Sequence, residues 1–446
     1  SRAEFELTPS VRGGKIRLRF SQGKKPYLSV FSVRGEHGCE IDTEKNTVKV
    51  FTTGNVGKNA VGFKNYVVIK FNVPIDSENT KMINSGDEDE NACVHIAFNS
   101  LIVEADIASS YIGFASKNAT EKWLREVQSF NPDVIHLHNI HGYYVNIEML
   151  FSYIKSQKKP VVWTLHDCWS FTGHCAHYDN VGCTKWHDGC FDCPQKRQYP
   201  ASFFKDASKE NYKKKKDLFL SAPDLTLVTP SHWLSEQVKQ SYLKDRTVKV
   251  IPNGIDLDVF HPCKSDLRLK YGLKNKKIVL SVSNVWDELK GLDTMIKLAN
   301  SLPEEYKVVL IGLTGEQATH IPPNIICIEH TESQQELAKW YSAADVFVNA
   351  SVQETMGLTS VEAAACGAPI VVPDATALPE VASALGGAVV KPNDMDSLIS
   401  AVKYLSNESR KDEHAADKFS LKNMTESYLN LYDEVLKTKS KVLMQR

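Results

Sequence analysis

The sequence has no apolar run long enough to span a bilayer, and no signal-peptide pattern opens it. That argues against a helical membrane span and makes a cytoplasmic location, at most at the inner face of the membrane, the expectation. It also has almost no net charge: 53 Lys and Arg stand against 54 Asp and Glu. No general attraction to nucleic acid follows from that balance, so nucleic acid is not an expected partner. With 42% hydrophobic and 24% charged residues, the chain is neither disordered nor collagen-like. At 446 residues it exceeds one ordinary core, and two or three domains are expected. Its first residue is Ser1 rather than Met, from which we expect a missing or processed upstream piece.

Cysteine is present but unevenly spread. Cys39, Cys93, Cys263, Cys327 and Cys366 stand singly, while Cys168, Cys175, Cys183, Cys190 and Cys193 share one short stretch. Without a secretory signal, reduced thiols are the stronger expectation and a disulfide framework the weaker. Cys175, Cys183, Cys190 and Cys193 suit a closed tetrahedral zinc site, with His174, His177 and His187 as spare ligands. Only the last pair has the usual C-x(2)-C ligand spacing, so zinc, disulfides and free thiols all stay open. The loop directly follows His166, which makes a structural wall of a cleft a better role for it than catalysis.

The first hundred or so residues read as strands. Ile16, Leu18 and Phe20 alternate with Arg17 and Arg19, and short runs of the same kind recur between Gly-, Asn- and Asp-rich turns. No amphipathic helix stands out before about residue 108, so an antiparallel sandwich or barrel is expected there. The acidic run Asp87 to Glu90 fits a solvated loop. Beyond that point helical stretches near 116–129 and 146–157 lead into apolar strands at 133–137 and 160–165. From 225 onward LTLVT, KIVLSVS, KVVLIG and DVFVNA alternate with helical segments. Fully apolar strands spaced by helices predict an α/β fold with parallel sheets covered on both faces. Pro252-Asn253-Gly254 and Pro262 mark a boundary. Leu421, Met424, Tyr428, Leu431 and Val435 fall on one face of a final helix that must dock.

The segment richest in chemistry runs from Gln353 to Ala363, where a strand ends and a helix of good formers begins. Unpaired N–H groups and dipole charge at a helix N-terminus suit a phosphate, and Gly357 permits close approach. Glu354 precedes that helix and Glu362 lies about two turns along it. One loop therefore offers two carboxylates able to accept sugar hydroxyls. The plain alternative is a helix-terminal charge and a surface glutamate. His138 and Asn139 close a strand at the end where open α/β sheets bind ligands, whereas His136, among apolar neighbours, reads as a core residue. Lys213 to Lys216 read as a solvated helix face, with contact to anionic lipid as the lesser alternative.

Glu354 and Glu362, spaced E-x(7)-E within ETMGLTSVEAAACGAPIV, resemble the donor-site signature of retaining GT-B glycosyltransferases of family 4. IPNGID at 251–256, LKGLDT at 289–294, YSAADVFVNAS at 341–351 and Pro379-Glu380 are similar to that family in the same order. HLHNIHGYY at 136–144 and WTLHDCWSFTGHC at 163–175 resemble its bacterial polysaccharide-synthesis branch. The resemblance covers about residues 110–446. It implies a pair of Rossmann-like domains, and a hexosyltransferase-type retaining enzyme moving sugar from a nucleotide-diphosphate sugar to an acceptor hydroxyl on a glycan or lipid-linked glycan. Glu362 would hold the ribose, Glu354 the transferred sugar, the Gly357, Leu358 and Thr359 amides the diphosphate, and Lys290 the leaving-group charge. His166 would touch the sugar from the acceptor side, with Asp167 orienting. No metal would be required for catalysis.

Two departures qualify that expectation. The stretch Ser283 to Lys290 has no arginine before its lysine, where the family often has one. The loss of one charge-assisted partner costs about 1.5–3 kcal/mol of donor binding unless another group replaces it. The chain also opens on its strand-rich segment instead of a strand, Gly-rich loop and helix, and VRGG at 11–14 is a poor substitute. The expected division is a β-rich segment at 1–107, an acceptor-side domain at 108–252, a donor-side domain at 253–420, and a helix at 421–446 packing back on the acceptor side. The rival expectation is a non-catalytic nucleotide- or glycan-binding relative with a degenerate acceptor half.

Overall fold

Among the described residues of the computed structural model, the alternating N-terminal pattern folds into nine strands. The structure describes residues 3–10, 13–20, 27–31, 37–44, 46–52, 65–71, 73–84, 92–98, 102–109, 117–141, 145–198, 206–408 and 413–444. The strands are β1 (Ala3–Ser10), β2 (Gly13–Phe20), β3 (Tyr27–Phe31), β4 (His37–Asp42), β5 (Thr47–Thr52), β6 (Asn65–Phe71), β7 (Ile75–Asn84), β8 (Ala92–Phe98) and β9 (Ile102–Ser109). They pair antiparallel in a six-stranded sheet, β1-β2-β9-β6-β5-β4, and a three-stranded sheet, β3-β8-β7. Both sheets are open, so the closed-barrel form of the expectation is not what forms among the described residues. Gly13 and Gly14 open β2 as part of a hairpin and not a phosphate loop. The acidic run Asp87 to Glu90, Val11 and Arg12, and residues 142–144 of the HLHNIHGYY segment lie outside the described residues.

Helix α1 (Lys117–Phe130) leads into the first parallel sheet. There β10 (Ile135–Leu137), α2 (Ile147–Gln157), β11 (Val161–Thr164), α3 (Ser208–Leu220), β12 (Leu225–Thr229), α4 (His232–Lys239) and β13 (Thr247–Val250) follow in turn. The strand order is β10-β11-β12-β13, all parallel. The sequence sets the ends of α2 locally. Asn146 accepts the Met149 N–H at its N-cap, and Lys158 closes the other end in the left-handed region at φ 50°. Strand β11 is buried along its whole length, which explains why VVWT carries no polar alternation.

The second parallel sheet holds α5 (Leu267–Lys270), β14 (Lys277–Val282), α6 (Leu292–Ser301), β15 (Tyr306–Ile311), α7 (Gly315–Ala318), β16 (Ile325–Ile328), α8 (Gln334–Ala343), β17 (Val346–Val348), α9 (Leu358–Ala365), β18 (Ile370–Pro373), α10 (Leu378–Leu385), β19 (Ala388–Val390) and α11 (Met395–Leu405). Its order is β16-β15-β14-β17-β18-β19. Strand order thus reverses between β14 and β17, and an open α/β sheet binds ligands beyond the carboxyl ends of the strands at that reversal. The segments leaving those two ends are 283–291 and 349–357. The fold therefore points at the residues that the motifs singled out.

Helix α12 (Leu421–Met444) returns to the first sheet. Leu431 is buried with Val162, Val228 and Ile251, while Tyr428 and Tyr432 reach Thr164 and His136 at 2.8 and 2.6 Å. Among the described residues no helix is long and apolar enough to cross a membrane.

The lysine run departs from its expected solvated face. Consecutive helical residues point about 100° apart, so four in a row cannot share one face. Lys214 pairs with Glu148 at 2.5 Å, but Lys215 is fully buried. Its ammonium lies 3.7 Å from the centre of the Trp169 ring and donates to the Trp169 carbonyl.

Candidate active site between the two parallel sheets

The segment after β14 and the segment after β17 line one cavity of about 320 Å³, together with Asn253. Its floor is locked from below. Trp286 donates its indole N–H to the Ile311 carbonyl at 2.9 Å, and Gln317 caps the Trp286 carbonyl at 2.6 Å. The Val352 N–H bonds the Leu289 carbonyl at 3.0 Å, tying the two segments together. Asp287 accepts the Lys290 N–H at 2.8 Å, which aims the lysine inward. Lys290 and Glu354 then meet in an ion pair at 2.5 Å, with side chains 34% and 22% exposed. Lys290 is the cation this segment presents, in keeping with the missing arginine.

Gly357 precedes α9 as its N-cap, in the left-handed region at φ 79° and ψ 59°. The amides of Gly357, Leu358 and Thr359 open the first turn, where no carbonyl one turn back can take them. A Cβ on Gly357 would lie 2.6 Å from Leu378 Cδ2. Strain and overlap together should make Gly357→Ala less stable by about 2 kcal/mol. Urea unfolding at an unchanged m-value would register this as a lower midpoint, and an unmoved midpoint would refute it.

Glu362 lies on the buried side of the same helix. Tyr341, itself fully buried, donates its hydroxyl to Glu362 Oε2 at 2.9 Å. Burial pushes the Glu362 carboxyl up to about 7, and the tyrosine only partly offsets it.

Facing this loop is the carboxyl edge of the first sheet. The Thr355 hydroxyl donates to the His166 carbonyl at 3.0 Å, and the Gln353 amide lies 3.5 Å from Asn180 Oδ1. Farther along, the Glu380 carboxylate accepts the His232 and Trp233 N–H groups, each at 3.0 Å, at the start of α4. A carboxylate at a helix N-terminus is favoured by the dipole.

His138 Nδ1 and His166 Nε2 are 2.9 Å apart with their rings stacked, so one proton serves both nitrogens. Burial lowers the pKa of each. His136 lies behind them, held between Tyr432 at 2.6 Å and Thr164 at 2.8 Å, with its pKa lowered to about 4 by burial and by the neighbouring imidazoles. Asn139, next to His138, is exposed. Burial opposes ionisation of Asp167, but His141 at 3.2 Å and the Trp169 N–H at 2.8 Å outweigh it and hold its carboxyl below the usual range. Asp167 thus faces His141 and the backbone.

Sequence reasoning missed His177. The spacing offers it only as a spare metal ligand, yet its imidazole lies in the field of Asp167, Glu354 and Lys290. Its Nδ1 is buried without a hydrogen-bond partner, and burial lowers its pKa. Nothing in the spacing signals this, because the irregular course of the chain between β11 and α3 carries His177 back to the cleft. Among the described residues no group of three ligating side chains is already arranged for a metal.

Two family models match consecutive parts of the chain, Glycosyltransferase Family 4 over residues 107–259 and Glycosyl transferases group 1 over residues 264–420. Together they cover about two thirds of its length.

The chain is a family 4 glycosyltransferase.

Its relatives include WcaC of Escherichia coli, provisionally named a colanic acid biosynthesis glycosyl transferase. That protein is 24% identical over 333 residues, 71% of this chain and 80% of its own. The D-inositol 3-phosphate glycosyltransferase of Mycolicibacterium smegmatis is 30% identical over a shorter match, 36% of this chain and 40% of that one. Solved structures share the GT-B fold. Sucrose-phosphate synthase from Thermosynechococcus elongatus aligns at TM-score 0.53 and 17% identity, over 73% of this chain and 79% of that one. HepE from Anabaena, solved with UDP, aligns at 0.52 and 16%, over 71% and 82%. The family 4 models start at residue 107, so the nine-stranded segment lies almost wholly outside them.

Proposed function

We propose that this family 4 glycosyltransferase transfers a sugar, with retention of configuration, from a nucleotide-diphosphate sugar to an acceptor hydroxyl in the synthesis of a surface polysaccharide or glycoconjugate. The observation that carries this reading is the Lys290–Glu354 pair beside the N-terminus of α9, in one cavity at the strand-order reversal. When the bond from sugar to diphosphate breaks, negative charge collects on the departing phosphate. Preorganised amides of Gly357, Leu358 and Thr359, with Lys290, stabilise that charge more in the transition state than before it. They do what a metal ion does elsewhere, and no metal enters the reading. Glu354 and His166 flank the sugar from the two sides of the cleft, and Glu362 takes the ribose hydroxyls. His138 and Asp167 act through their neighbours, His138 by sharing a proton with His166 and Asp167 by orienting the loop that follows it. Residues 108–252 then form the acceptor half, 253–420 the donor half, and α12 the strap between them. Retention and the polysaccharide context rest on the family and on the name of WcaC.

His177 adds a contact the motifs do not name. Its half-buried imidazole, in the field of Glu354 and Lys290, would contact the transferred sugar. The deciding experiment is a thermal-shift panel of UDP, GDP and ADP, each alone and as its sugar derivative, with UDP first because HepE was solved with it. A ligand at 100 times its Kd adds about 2.7 kcal/mol of stability. One nucleotide should stabilise the chain, and a sugar derivative of it should be turned over when acceptor is supplied. His177→Ala should weaken the sugar derivative about tenfold while leaving the bare nucleotide unchanged. An equal loss for both ligands would remove His177 from the sugar contact. A panel with no shift at all would overturn the donor pocket itself.

A second reading has one observation in its favour. The first parallel sheet begins at the edge strand β10, with antiparallel strands before α1 in place of a further parallel βαβ unit. A nucleotide- or glycan-binding relative without turnover would show the shift and no transfer to any acceptor.

A further inference from the structure

The cysteine-rich loop holds chemistry that the transfer reaction does not use. Over residues 172–198 the chain makes only two short 3-10 turns, Asp179–Val181 and Lys185–His187, yet it buries His174, Cys175, Tyr178 and Trp186. A segment this long without sheet or helix needs another means of being held. Its cysteines are brought together without any disulfide. Cys175 neighbours Cys193, and Cys190 neighbours both Cys193 and Cys183.

Polar groups lie against these sulfurs. The Gly173 N–H donates to Cys190 Sγ at 3.0 Å. Gly173 also leaves no room for a side chain, since a Cβ there would fall 2.5 Å from Cys190 Cβ. The Asp206 carboxylate fixes the Cys193 N–H at 2.7 Å. The fully buried Lys215 amine lies near Cys175 and Cys190, and burial lowers its pKa to about 7. The independent observation is His174. It is 2% exposed, and neither ring nitrogen finds a hydrogen-bond partner of good geometry, although the ring lies against the Cys193 sulfur. A buried imidazole with both nitrogens idle is costly, and a thiolate facing it would supply the missing acceptor.

We propose that Cys175, Cys183, Cys190 and Cys193 bind one structural zinc ion that staples this loop against the active-site cleft. On binding, four thiol protons pass to solvent and four sulfur–zinc bonds form. His174 then donates to the Cys193 sulfur, while Lys215 and the Gly173 N–H offset the excess negative charge. Among the described residues no three ligating side chains already stand at coordination distance. Binding therefore has to draw the sulfurs inward, and ordering of the loop is coupled to the ion. The same loop carries His177 and Asn180 to the cleft, so the ion would fix that wall of the cavity. Such a site needs only the loop and is independent of the identity of the donor.

The test is the metal content of the full chain, purified without chelator from zinc-supplemented cells and measured by inductively coupled plasma mass spectrometry. One zinc per chain is expected. Replacement by cobalt should give the visible and thiolate charge-transfer bands of a tetrahedral sulfur site. Cys193→Ser should lose both signals and Cys263→Ser, remote from the loop, should keep them. A metal-free chain with all four thiols reactive toward a disulfide reagent would overturn the proposal. So would a Cys175–Cys193 disulfide in a non-reducing peptide map. If Cys193→Ser fails to fold, the zinc content and cobalt spectrum of the unaltered chain decide the matter.

Discussion

Lys290→Ala should lower kcat/KM for sugar transfer by a factor of a hundred to a thousand, because it removes the charge proposed to face the departing phosphate. Loss of one preorganised group of this kind costs about 2.7–4 kcal/mol of transition-state stabilisation. The ion pair makes the prediction specific. Lys290 is held by Glu354 at 2.5 Å, so an arriving diphosphate must share or displace that carboxylate. Lys290→Ala should therefore weaken a nucleoside diphosphate far more than the matching monophosphate, as measured by calorimetric titration of each. Glu354→Gln should behave in the opposite sense for the bare nucleotide. It frees the lysine, tightens the diphosphate, and still slows transfer because the sugar loses its carboxylate. Equal diphosphate affinity in Lys290→Ala and the unaltered chain would take Lys290 out of the site.

Glu362 should make the chain less stable as pH rises toward neutrality, and Glu362→Gln should remove that trend. The group titrates near 7 when folded, above its ordinary 4.5, because burial disfavours the carboxylate. Between those two values the folded chain holds more protons than the unfolded one. Its contribution to stability therefore falls as pH rises through that window, and the penalty is complete above about 7. Glu362→Gln should gain up to about 3 kcal/mol at pH 8 and almost nothing at pH 4. Denaturant midpoints across pH would show the two curves converging in acid, and parallel curves would refute the assignment. The same residue should cost function when replaced. Ribose hydroxyls donate to a carboxylate, so nucleotide binding near pH 7 should release a proton, visible as an enthalpy that depends on the buffer. Glu362→Gln should abolish that release and weaken binding by about tenfold or more. The chain would then keep an unstable carboxylate because the ligand requires one.

Much of this site is legible along the chain because its parts are local. Gln353 to Ala363 is a strand end, a turn and a helix start, and its chemistry follows from that order of residues alone. Lys290 is marked by the turn that follows β14. His166 and His138 each end a buried parallel strand, which places them on the ligand edge of a sheet by topology. Even the missing arginine has its counterpart in the structure, where Lys290 is the cation that its segment presents. What the chain order could not show is which remote groups answer one another. Tyr341 lies 21 residues before Glu362, and their hydrogen bond depends on how α8 packs on α9. His177 reaches the cleft only through the course of an irregular loop. The lysine run misled because a charge pattern does not say which way a helix faces its neighbours, and α3 turns Lys215 under Trp169.

By itself, then, the sequence determined the α/β class, the order of the parallel strands along the chain, the family, and the residues whose chemistry is set by a strand end or a helix start. Backbone periodicity and local hydrogen bonding act over a few residues, so they can be read in one dimension. Only the tertiary structure decided the open pair of sheets at the N-terminus, the pairing of Lys290 with Glu354, the burial that raises Glu362, and the gathering of the loop cysteines. Each of those depends on distance through space and on exclusion of water, and neither is a property of neighbours in the chain.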